Sequence, residues 1–363
     1  MNLDALRPAV DADGHIMESL EEMAKYAHPA VRDLCVNPQT FFRQPFPSVD
    51  GLHWPNPATY QSGHGMMGEQ ETASKHRKGS AEDWLEFLHN ANVEYAVLYP
   101  SEGLTVGQLR ENDYAVAVCQ AYNDYVADRY RGVSAKLLPM ALIPMQKQDE
   151  AVKELRRAVN ELKLPGAVLP STGLPLDLGH EYYWPIYKEA ADLGCVLGVH
   201  GGSNVGIGLG SLTSMLASHV IHHPMALMIA AVSMIHNEIF ERYPNLRVAY
   251  TEGGCGWTTV LLDRMARNAE LGMMGAYRTF EEALGTGRIL IGCEPGEGTL
   301  AHLIKRVGPG AFAFSTDYPH EVDFRAVRKE IETAYAHPDL TLDEKNKLLG
   351  DNARRFFTLT SNV

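Results

Sequence analysis

Short apolar runs recur along the chain, and each is followed by a turn and then by a segment with helical periodicity. In the helical segments apolar residues return every three or four positions, the pattern of a helix with one buried face. The pattern predicts eight strands, at 8–13, 94–100, 137–144, 166–171, 195–201, 247–253, 288–295 and 311–319. Strands that alternate with helices pair in parallel, and eight such units can close on themselves. The predicted fold is therefore an α/β protein, a (β/α)8 TIM barrel. An open doubly wound sheet is the alternative, but no GxGxxG follows the first strand.

The segment 35–79 breaks this rhythm, because it is rich in Pro, Gly, His and aromatic residues and has no sustained periodicity. It lies between the first predicted strand and its helix, at the end of the barrel where such enzymes build their sites. We predict a lid-like insertion that contributes substrate contacts; a passive surface loop is the alternative. Residues 1–363 are otherwise expected to form a single domain.

Composition narrows the possible partners. Hydrophobic residues make up 45% and charged residues 21% of the chain, as in soluble globular proteins. The formal charge of -13 argues against nucleic acid and anionic membranes, so we expect a small-molecule substrate. The five cysteines are scattered and form no CxxC pair, and the start of the chain has no signal-peptide pattern. Both observations predict a cytoplasmic protein.

The apolar stretch 224–235 is too short to cross a bilayer and predicts a buried helix.

Side chains that can bind a metal stand at the ends of the predicted strands. Asp13 and His15 end the first strand, His200 the fifth, Glu252 the sixth and Asp317 the eighth. Barrel strands direct these ends to one mouth, and alternate residues of a strand share a face. Taken singly, each residue is as readily structural, but together they favour a site. Two imidazoles with carboxylates suit Zn²⁺, Mn²⁺, Fe²⁺ or Co²⁺, and we expect one divalent ion, with Zn²⁺ first.

Six segments occur in an order typical of one family. They are DADGHIME (11–18), GVHGG (198–202), RYPNLRVAYTEGGCGW (242–257), IGCEP (291–295), STDYPH (315–320) and GDNARRFF (350–357). The set resembles the amidohydrolase superfamily, in the branch with aminocarboxymuconate-semialdehyde decarboxylase and the resorcylate decarboxylases. The resemblance covers nearly the whole chain.

The resemblance implies a metal-dependent lyase or hydrolase whose ligands are Asp13, His15, His200 and Asp317. Many members carry His-x-His on the first strand where this chain has Asp-x-His, and the added carboxylate favours Zn²⁺ or Mn²⁺. The fourth strand ends without the bridging lysine of the two-metal members, which implies a single ion.

This chain departs from the family at the sixth strand, where the better-known decarboxylases carry a catalytic histidine and this chain has Glu252. Acid–base catalysis is then assigned to Asp317, Glu252, His223 or His320, with His219 and His222 as further alternatives. Glu252 can alternatively bind the metal or orient a neighbour. Trp257 and the aromatic residues of the insertion are candidates for the wall of a ring-binding pocket.

The resemblance slightly favours non-oxidative decarboxylation of a small carboxylated aromatic or unsaturated acid. The missing histidine favours the alternative, a hydrolase that cleaves an amide, ester or C–C bond with a metal-activated water. A non-catalytic ligand-binding barrel is the second alternative. Members of this kind are often dimers, so we expect a homodimer.

Overall fold

Parallel strands in chain order form the core of the computed structural model, which describes residues 6–29, 79–202, 206–209, 212, 215–273, 279–320 and 322–359. The strands are β1 (Ala9–Ile16), β2 (Val93–Pro100), β3 (Leu137–Pro139), β4 (Ala141–Leu142), β5 (Gly166–Pro170), β6 (Val196–His200), β7 (Arg247–Thr251), β8 (Ile289–Cys293) and β9 (Phe312–Phe314). Neighbouring strands pair in the orders β1-β2-β3 and β4-β5-β6-β7-β8-β9, and every pairing is parallel. The predicted insertion 35–79 lies outside the described residues except for Gly79.

Backbone hydrogen bonds join the two groups of strands into one ring. Met140 lies between β3 and β4, and its N–H donates to Leu98 O of β2 at 2.8 Å, so β3 and β4 are one interrupted strand that corresponds to the predicted 137–144. At the other junction, Asp317 N donates to Asp13 O and His15 N donates to Tyr318 O, both at 2.8 Å. The predicted TIM barrel of eight strands is confirmed.

Helices follow the strands and cover the outside of the ring. They are α1 (Leu20–Ala24), α2 (Ala81–Ala91), α3 (Asn112–Val126), α4 (Gln148–Asn160), α5 (Trp184–Leu193), α6 (Met215–His236), α7 (Ile239–Arg242), α8 (Thr258–Glu270), α9 (Phe280–Gly285), α10 (Leu300–Val307), α11 (Phe324–Ala336), α12 (Leu342–Asn346) and α13 (Asn352–Phe356). Both ends of α2 carry the usual capping residues: Ser80 and Asp83 form a capping box at its start, and Asn92 ends it in a left-handed conformation. Its buried face, which includes Trp84 and Phe87, packs on the barrel.

Helix α6 contains the apolar stretch 224–235. By length and composition it is the single described helix that resembles a membrane span, with 44% of that window buried. However, it connects β6 and β7, which pair in parallel along their length, so both ends of the helix return to the barrel. Leu227 and Met234 are fully buried on its inner face, as predicted, whereas Val220 and Ile229 are exposed.

The barrel interior beneath the mouth is closely packed. Tyr99 of β2 crosses the interior, and a Cβ added at Gly198 of β6 would lie 2.6 Å from its ring. Only glycine at 198 leaves this space. The Tyr99 ring is fully buried and lies 4.7 Å from the His200 ring, so it supports that histidine from below.

The motif 350–357 has a structural role at the opposite end of the barrel. Arg354 donates to Pro8 O at 2.6 Å and pairs with Glu94 at 2.7 Å, while the Asn352 amide donates to Phe312 O at 2.8 Å. These bonds tie the last described helix to the starts of β1 and β9. The motif therefore closes the base of the barrel.

The described cysteines are Cys119, Cys195, Cys255 and Cys293, and all four are free and buried. Burial raises the pKa of the Cys293 thiol, as it does for the other three. All four are small core residues.

Candidate metal centre

The five side chains nominated from strand ends converge at the mouth of the barrel. Asp13 and His15 are alternate residues of β1, and His200 is the last residue of β6. Asp13 Oδ1 lies 3.1 Å from His200 Nε2, and Asp317 Oδ1 lies 3.2 Å from His15 Nε2. Glu252, directly after β7, brings its Oε2 to 2.9 Å from His200 Nδ1 and 4.0 Å from His15 Nε2. Strand ends that are far apart in sequence thus form one cluster.

Main-chain carbonyls determine how the two central histidines face this cluster. His15 Nδ1 lies 3.1 Å from Pro100 O, and His200 Nδ1 lies 2.5 Å from Gly201 O. A carbonyl only accepts, so each ring donates its Nδ1–H to a carbonyl and turns its Nε2 toward the cluster, where the Nε2 of His200 lies 3.1 Å from Asp13 Oδ1. In the neutral tautomer each Nε2 can offer its lone pair to a cation. Metal-binding histidines are commonly oriented in this way.

Several buried atoms in the cluster have no hydrogen-bond donor among the described residues. They include His15 Nε2, Glu252 Oε2 and Asp317 Oδ1. Unpaired buried acceptors cost free energy, and ligands about 2.0–2.2 Å from a common ion lie roughly 3 Å from one another, near the shortest separations seen here. The residues therefore fit a divalent cation.

The predicted ligands fall into two overlapping groups. Asp13, His15 and His200 form one, and His15, Glu252, Asp317 and His320 form the other; within each group the ligand atoms lie within 4.8 Å of one another. His15 belongs to both. The structure thus brings Asp317 beside His15, but it also places Glu252 and His320 within reach of the same point.

The electrostatics of the cluster call for a positive charge. Burial raises the pKa of Asp13 and lowers that of His15 well below its usual range. Burial also acts to lower the pKa of His200, but the charges of Asp13 and Glu252 outweigh it and raise that pKa well above its usual range. Burial raises the pKa of Glu252 to about 7, although His200 opposes the shift. A bound cation would relieve the repulsion among these carboxylates.

Both carboxylates that enter the site from loops have an unusual backbone. Glu252 has φ 62° and Asp317 has φ 55°. The left-handed region costs a residue with a Cβ about 1 kcal/mol, and such strain is concentrated at functional sites. Here it turns both side chains inward from the strand ends.

A cavity of about 360 Å³ opens above the cluster, a size that suits a small organic acid. It is lined by Asp13, His219, Val220, His223, Pro224, Glu252, Gly253, Gly254, Gly292, Cys293, Glu294, Glu297, Ser315, Thr316 and Asp317. Among the predicted acid–base residues, His223, Glu252 and Asp317 border it, whereas His320 does not. His15 and His200 lie behind the cavity wall.

His223 reaches the cavity from α6. Its Nε2 lies 3.6 Å from Glu252 Oε1, and its ring is nearly buried. A Cβ added at Gly201 would lie 2.3 Å from His223 Nδ1, so glycine at this position of the GVHGG motif makes room for the ring. The pKa of His223 is lowered well below its usual range by burial and by the neighbouring histidines, first His222.

Two residues of the site went unnoticed in the sequence. Ser101 follows β2 directly, and its hydroxyl lies 2.8 Å from His320 Nε2, while His320 Nδ1 lies 3.1 Å from Asp317 Oδ1. Glu297 lies in the turn after β8. Both follow strands that had no nominated residue, so the rule that sites collect after strand ends applies to them as well.

The expectation that Trp257 walls a ring-binding pocket is not supported. Trp257 is buried, and its ring packs 6.0 Å from Tyr250 and 5.8 Å from Phe280 in the core. It does not border the described cavity. The aromatic residues of the insertion lie outside the described residues.

A (β/α)8 barrel with a carboxylate–histidine cluster at its mouth defines a class of barrel enzymes with a candidate metal centre. The amidohydrolase family profile matches residues 10–359. The chain therefore belongs to the amidohydrolase family, and it is an enzyme of that superfamily.

Its relatives in sequence include two decarboxylases. The chain is 26% identical over 281 residues to 2-amino-3-carboxymuconate-6-semialdehyde decarboxylase of Dictyostelium discoideum, and the aligned region covers 77% of this chain and 76% of the relative. It is 23% identical over 328 residues to gamma-resorcylate decarboxylase of a Rhizobium species, with coverages of 85% and 96%.

Solved structures share the fold over nearly the whole chain. An amidohydrolase from Mycobacterium avium subsp. paratuberculosis aligns with a TM-score of 0.75 at 15% identity, covering 99% of this chain and 100% of that one. A dihydroxybenzoic acid decarboxylase from a Polaromonas species, with bound manganese and the inhibitor 2-nitroresorcinol, aligns with a TM-score of 0.69 at 16% identity and covers 98% of each chain.

Proposed function

We propose that this enzyme is a metal-dependent decarboxylase of a small carboxylated aromatic or unsaturated acid. The observation that carries the proposal is the set of unpaired buried atoms on His15, Glu252 and Asp317, which face one point at the floor of the cavity. Decarboxylases of such acids among the relatives support the choice of reaction.

One divalent ion is proposed, bound by Asp13, His15, His200 and Asp317, with Glu252 in reach as a further oxygen ligand. Two imidazoles with up to three carboxylates form a donor set richer in oxygen than the four predicted ligands. Oxygen donors suit Mn²⁺, which therefore takes precedence over the Zn²⁺ expected from sequence, in line with the manganese of the Polaromonas enzyme. When bound, the ion would hold the substrate by its oxygen atoms and withdraw electron density from the reacting carbon.

The residues at the cavity wall would manage the proton. When the C–C bond to the carboxylate breaks, its electron pair stays on the substrate carbon, CO₂ leaves, and that carbon takes a proton. We assign delivery of this proton to His223, which borders the cavity with its Nε2 3.6 Å from Glu252 Oε1. Burial lowers the pKa of His223, and the Glu252 carboxylate would oppose that shift by stabilising the imidazolium form. The pair takes the place of the sixth-strand histidine of the family. His219, exposed at the same cavity wall, lies 5.5 Å from His223 between ring centres and would pass a proton from solvent.

Hydrolysis is the second candidate function, because the sixth strand ends in a carboxylate and not in a histidine. Glu252 borders the cavity beside the cluster, where it would take a proton from an attacking water. This water would then add to the substrate, so hydrolysis leaves a solvent oxygen in a product and decarboxylation does not.

The experiment is turnover of 2,6-dihydroxybenzoate and related carboxylated aromatic acids by Mn²⁺-loaded enzyme in isotopically labelled water. Decarboxylation predicts release of CO₂ and, in deuterium oxide, a new C–D bond at the reacting carbon. Incorporation of heavy oxygen from water into an organic product would instead identify a hydrolase. Stoichiometric metal without turnover of either the carboxylated acids or substrates with a hydrolysable amide or ester bond would favour a non-catalytic binding barrel.

We further propose that the enzyme is a cytoplasmic homodimer that acts on a small molecule. The net charge supports a small-molecule substrate, and the free buried cysteines support the cytoplasm. The dimer rests on the family resemblance alone. The molar mass in solution, measured by light scattering, tests the dimer: twice the 40.1 kDa of one chain is expected.

A further inference from the structure

The loop that follows β7 carries Glu252 and is bound to the next strand connection by a single carboxylate. Glu297 Oε2 accepts from Cys255 N at 2.7 Å and from Gly256 N at 3.2 Å. Its Oε1 accepts from Cys255 N and from Glu294 N, both at 3.0 Å. One side chain thus receives backbone hydrogen bonds from both connections.

The turn after β8 holds this carboxylate in place. Glu297 N donates to Glu294 O at 3.1 Å, so the backbone closes a tight turn while the Glu297 side chain closes it a second time on Glu294 N. Since β8 ends at Cys293, directly before this turn, the carboxylate is fixed relative to the barrel. It is an anchor on the barrel for the neighbouring loop.

The loop is shaped to receive the anchor. Gly254 has φ +61°, and a Cβ added there would lie 2.8 Å from Glu297 Oε2. Glycine is therefore required on two grounds, conformation and space. Glu252, two residues earlier, is itself in the left-handed region, so its inward direction depends on the conformation of this loop.

We propose that Glu297 is a positioning residue that holds Glu252 against the metal centre. The inference rests on the proposed function, since it assumes that Glu252 faces a bound ion. Although Glu297 borders the cavity, its two oxygens are occupied by three backbone amides, so it serves the loop and not the substrate. Charge-assisted bonds of this kind are the stronger class of hydrogen bond.

The test is a double-mutant cycle on Mn²⁺ affinity, measured by calorimetry on the full chain after metal removal. The variants are Glu297→Gln, Glu252→Gln and the double variant. An amide at 297 turns an NH₂ group toward a backbone N–H, so the loop should shift. We expect Glu297→Gln to weaken Mn²⁺ binding by about tenfold, as outer partners of metal ligands do, and to have less than about a twofold effect when Glu252 is already Gln.

Two control variants distinguish a specific role of Glu297 in positioning Glu252 from a nonspecific loss of structure. Glu111→Gln makes the same chemical change at another carboxylate that accepts two backbone amides, at the start of α3, and should leave Mn²⁺ affinity unchanged. Glu297→Asp keeps the charge but withdraws it by one methylene, and should weaken binding less than Gln. Glu297→Asp takes the place of Glu297→Gln in the cycle if the Gln variant does not fold.

Each outcome decides the inference. The inference is overturned if Glu297→Gln has the same effect in both backgrounds, if it has no effect, or if Glu252→Gln leaves the Mn²⁺ affinity unchanged. In each of these cases the parent still binds Mn²⁺, so the proposed function stands. A parent protein that binds no Mn²⁺ contradicts the proposed function itself and, with it, the inference.

Discussion

Main-chain carbonyls accept from the Nδ1 atoms of both His15 and His200, and the side chains of Asp13 and Tyr99 contact the His200 ring as well. Their Nε2 atoms therefore face the cluster whether or not an ion is bound, because the carbonyls belong to the barrel scaffold. A site prepared in this way loses little entropy when it binds a metal. The carboxylates differ, since Glu252 and Asp317 depend on loop conformation for their direction.

At the residue scale, His223→Asn should separate proton transfer from metal binding. We expect kcat to fall by about 10²- to 10⁴-fold, the usual contribution of a general acid, with metal content unchanged. The reason is that His223 borders the cavity and faces Glu252 Oε1, outside both groups of potential ligands. Steady-state kinetics together with metal analysis check this. Full turnover by His223→Asn would move the assignment to Asp317.

Glu330 on α11 offers a pH test that is independent of the metal. Burial, and then the charge of Glu294, raises its pKa to about 7, and no described donor reaches its buried Oε2. The folded state thus holds this proton more tightly than the unfolded state, so its stabilising contribution is complete below about pH 4.5 and is lost as the pH rises through about 7.

Glu330→Gln should therefore match the parent's stability near pH 4.5 and exceed it by about 1–2 kcal/mol at pH 8. Urea unfolding at the two pH values measures the difference. Glu332→Gln, at an exposed position of the same helix, is the matched control. A gain at position 330 that is the same at both pH values would refute the assignment.

Residues whose chemistry follows from type and strand position were predictable from sequence. Asp13, His15, His200, Glu252 and Asp317 were all nominated in this way, and the structure brings them together. Ser101 and Glu297 were not, because their roles consist of hydrogen bonds to partners distant in sequence. Serine and glutamate in a turn are ordinary surface residues until that geometry is known.

At the scale of elements, the strands at both ends of the chain differ from their predicted bounds for one reason. β1 was predicted at 8–13 but continues to Ile16, because His15 pairs with Tyr99 of β2. The last strand was predicted at 311–319 but ends at Phe314. Beyond it, Thr316 donates from its N–H to Asp11 Oδ1 at 3.0 Å and from its hydroxyl to Oδ2 at 2.6 Å. Local apolar patterns do not reveal that the first strand captures the end of the last.

The packing of β1 on α2 yields a prediction at Gly14. A Cβ there would lie 2.3 Å from Trp84 Cη2, and the Trp84 indole N–H donates to His15 O at 3.0 Å. Gly14→Ala should therefore displace a fully buried ring, lower stability by about 1–3 kcal/mol and reduce metal occupancy as His15 moves. Thermal unfolding and metal analysis measure both effects.

Gly285→Ala is the matched control for this prediction, because nothing lies within 4 Å of a Cβ added at the end of α9. It should leave metal occupancy at the parent level. Equal behaviour of the two alanine variants would mean that the contact between Gly14 and Trp84 does not support the site.

At the scale of the whole molecule, ring closure creates the site. The hydrogen bond from Asp317 N to Asp13 O joins residues near opposite ends of the chain, and the cluster lies across that junction. Alternation of strands and helices is a global pattern, so the barrel was predictable from sequence. The choice between decarboxylation and hydrolysis could not be predicted from sequence, because it depends on how His223 and Glu252 are placed relative to each other and to the cavity.

The most direct measurement of the central claim is the metal content of the purified parent and of His200→Ala, with far-ultraviolet circular dichroism as a check on folding. His200 presents its Nε2 to Asp13 from the end of β6, so replacing it with alanine removes one proposed ligand while the strand itself is kept. We predict about one divalent ion per parent chain, with metal and activity lost together in His200→Ala and the dichroism spectrum unchanged. Full metal occupancy in a folded His200→Ala protein would contradict the account.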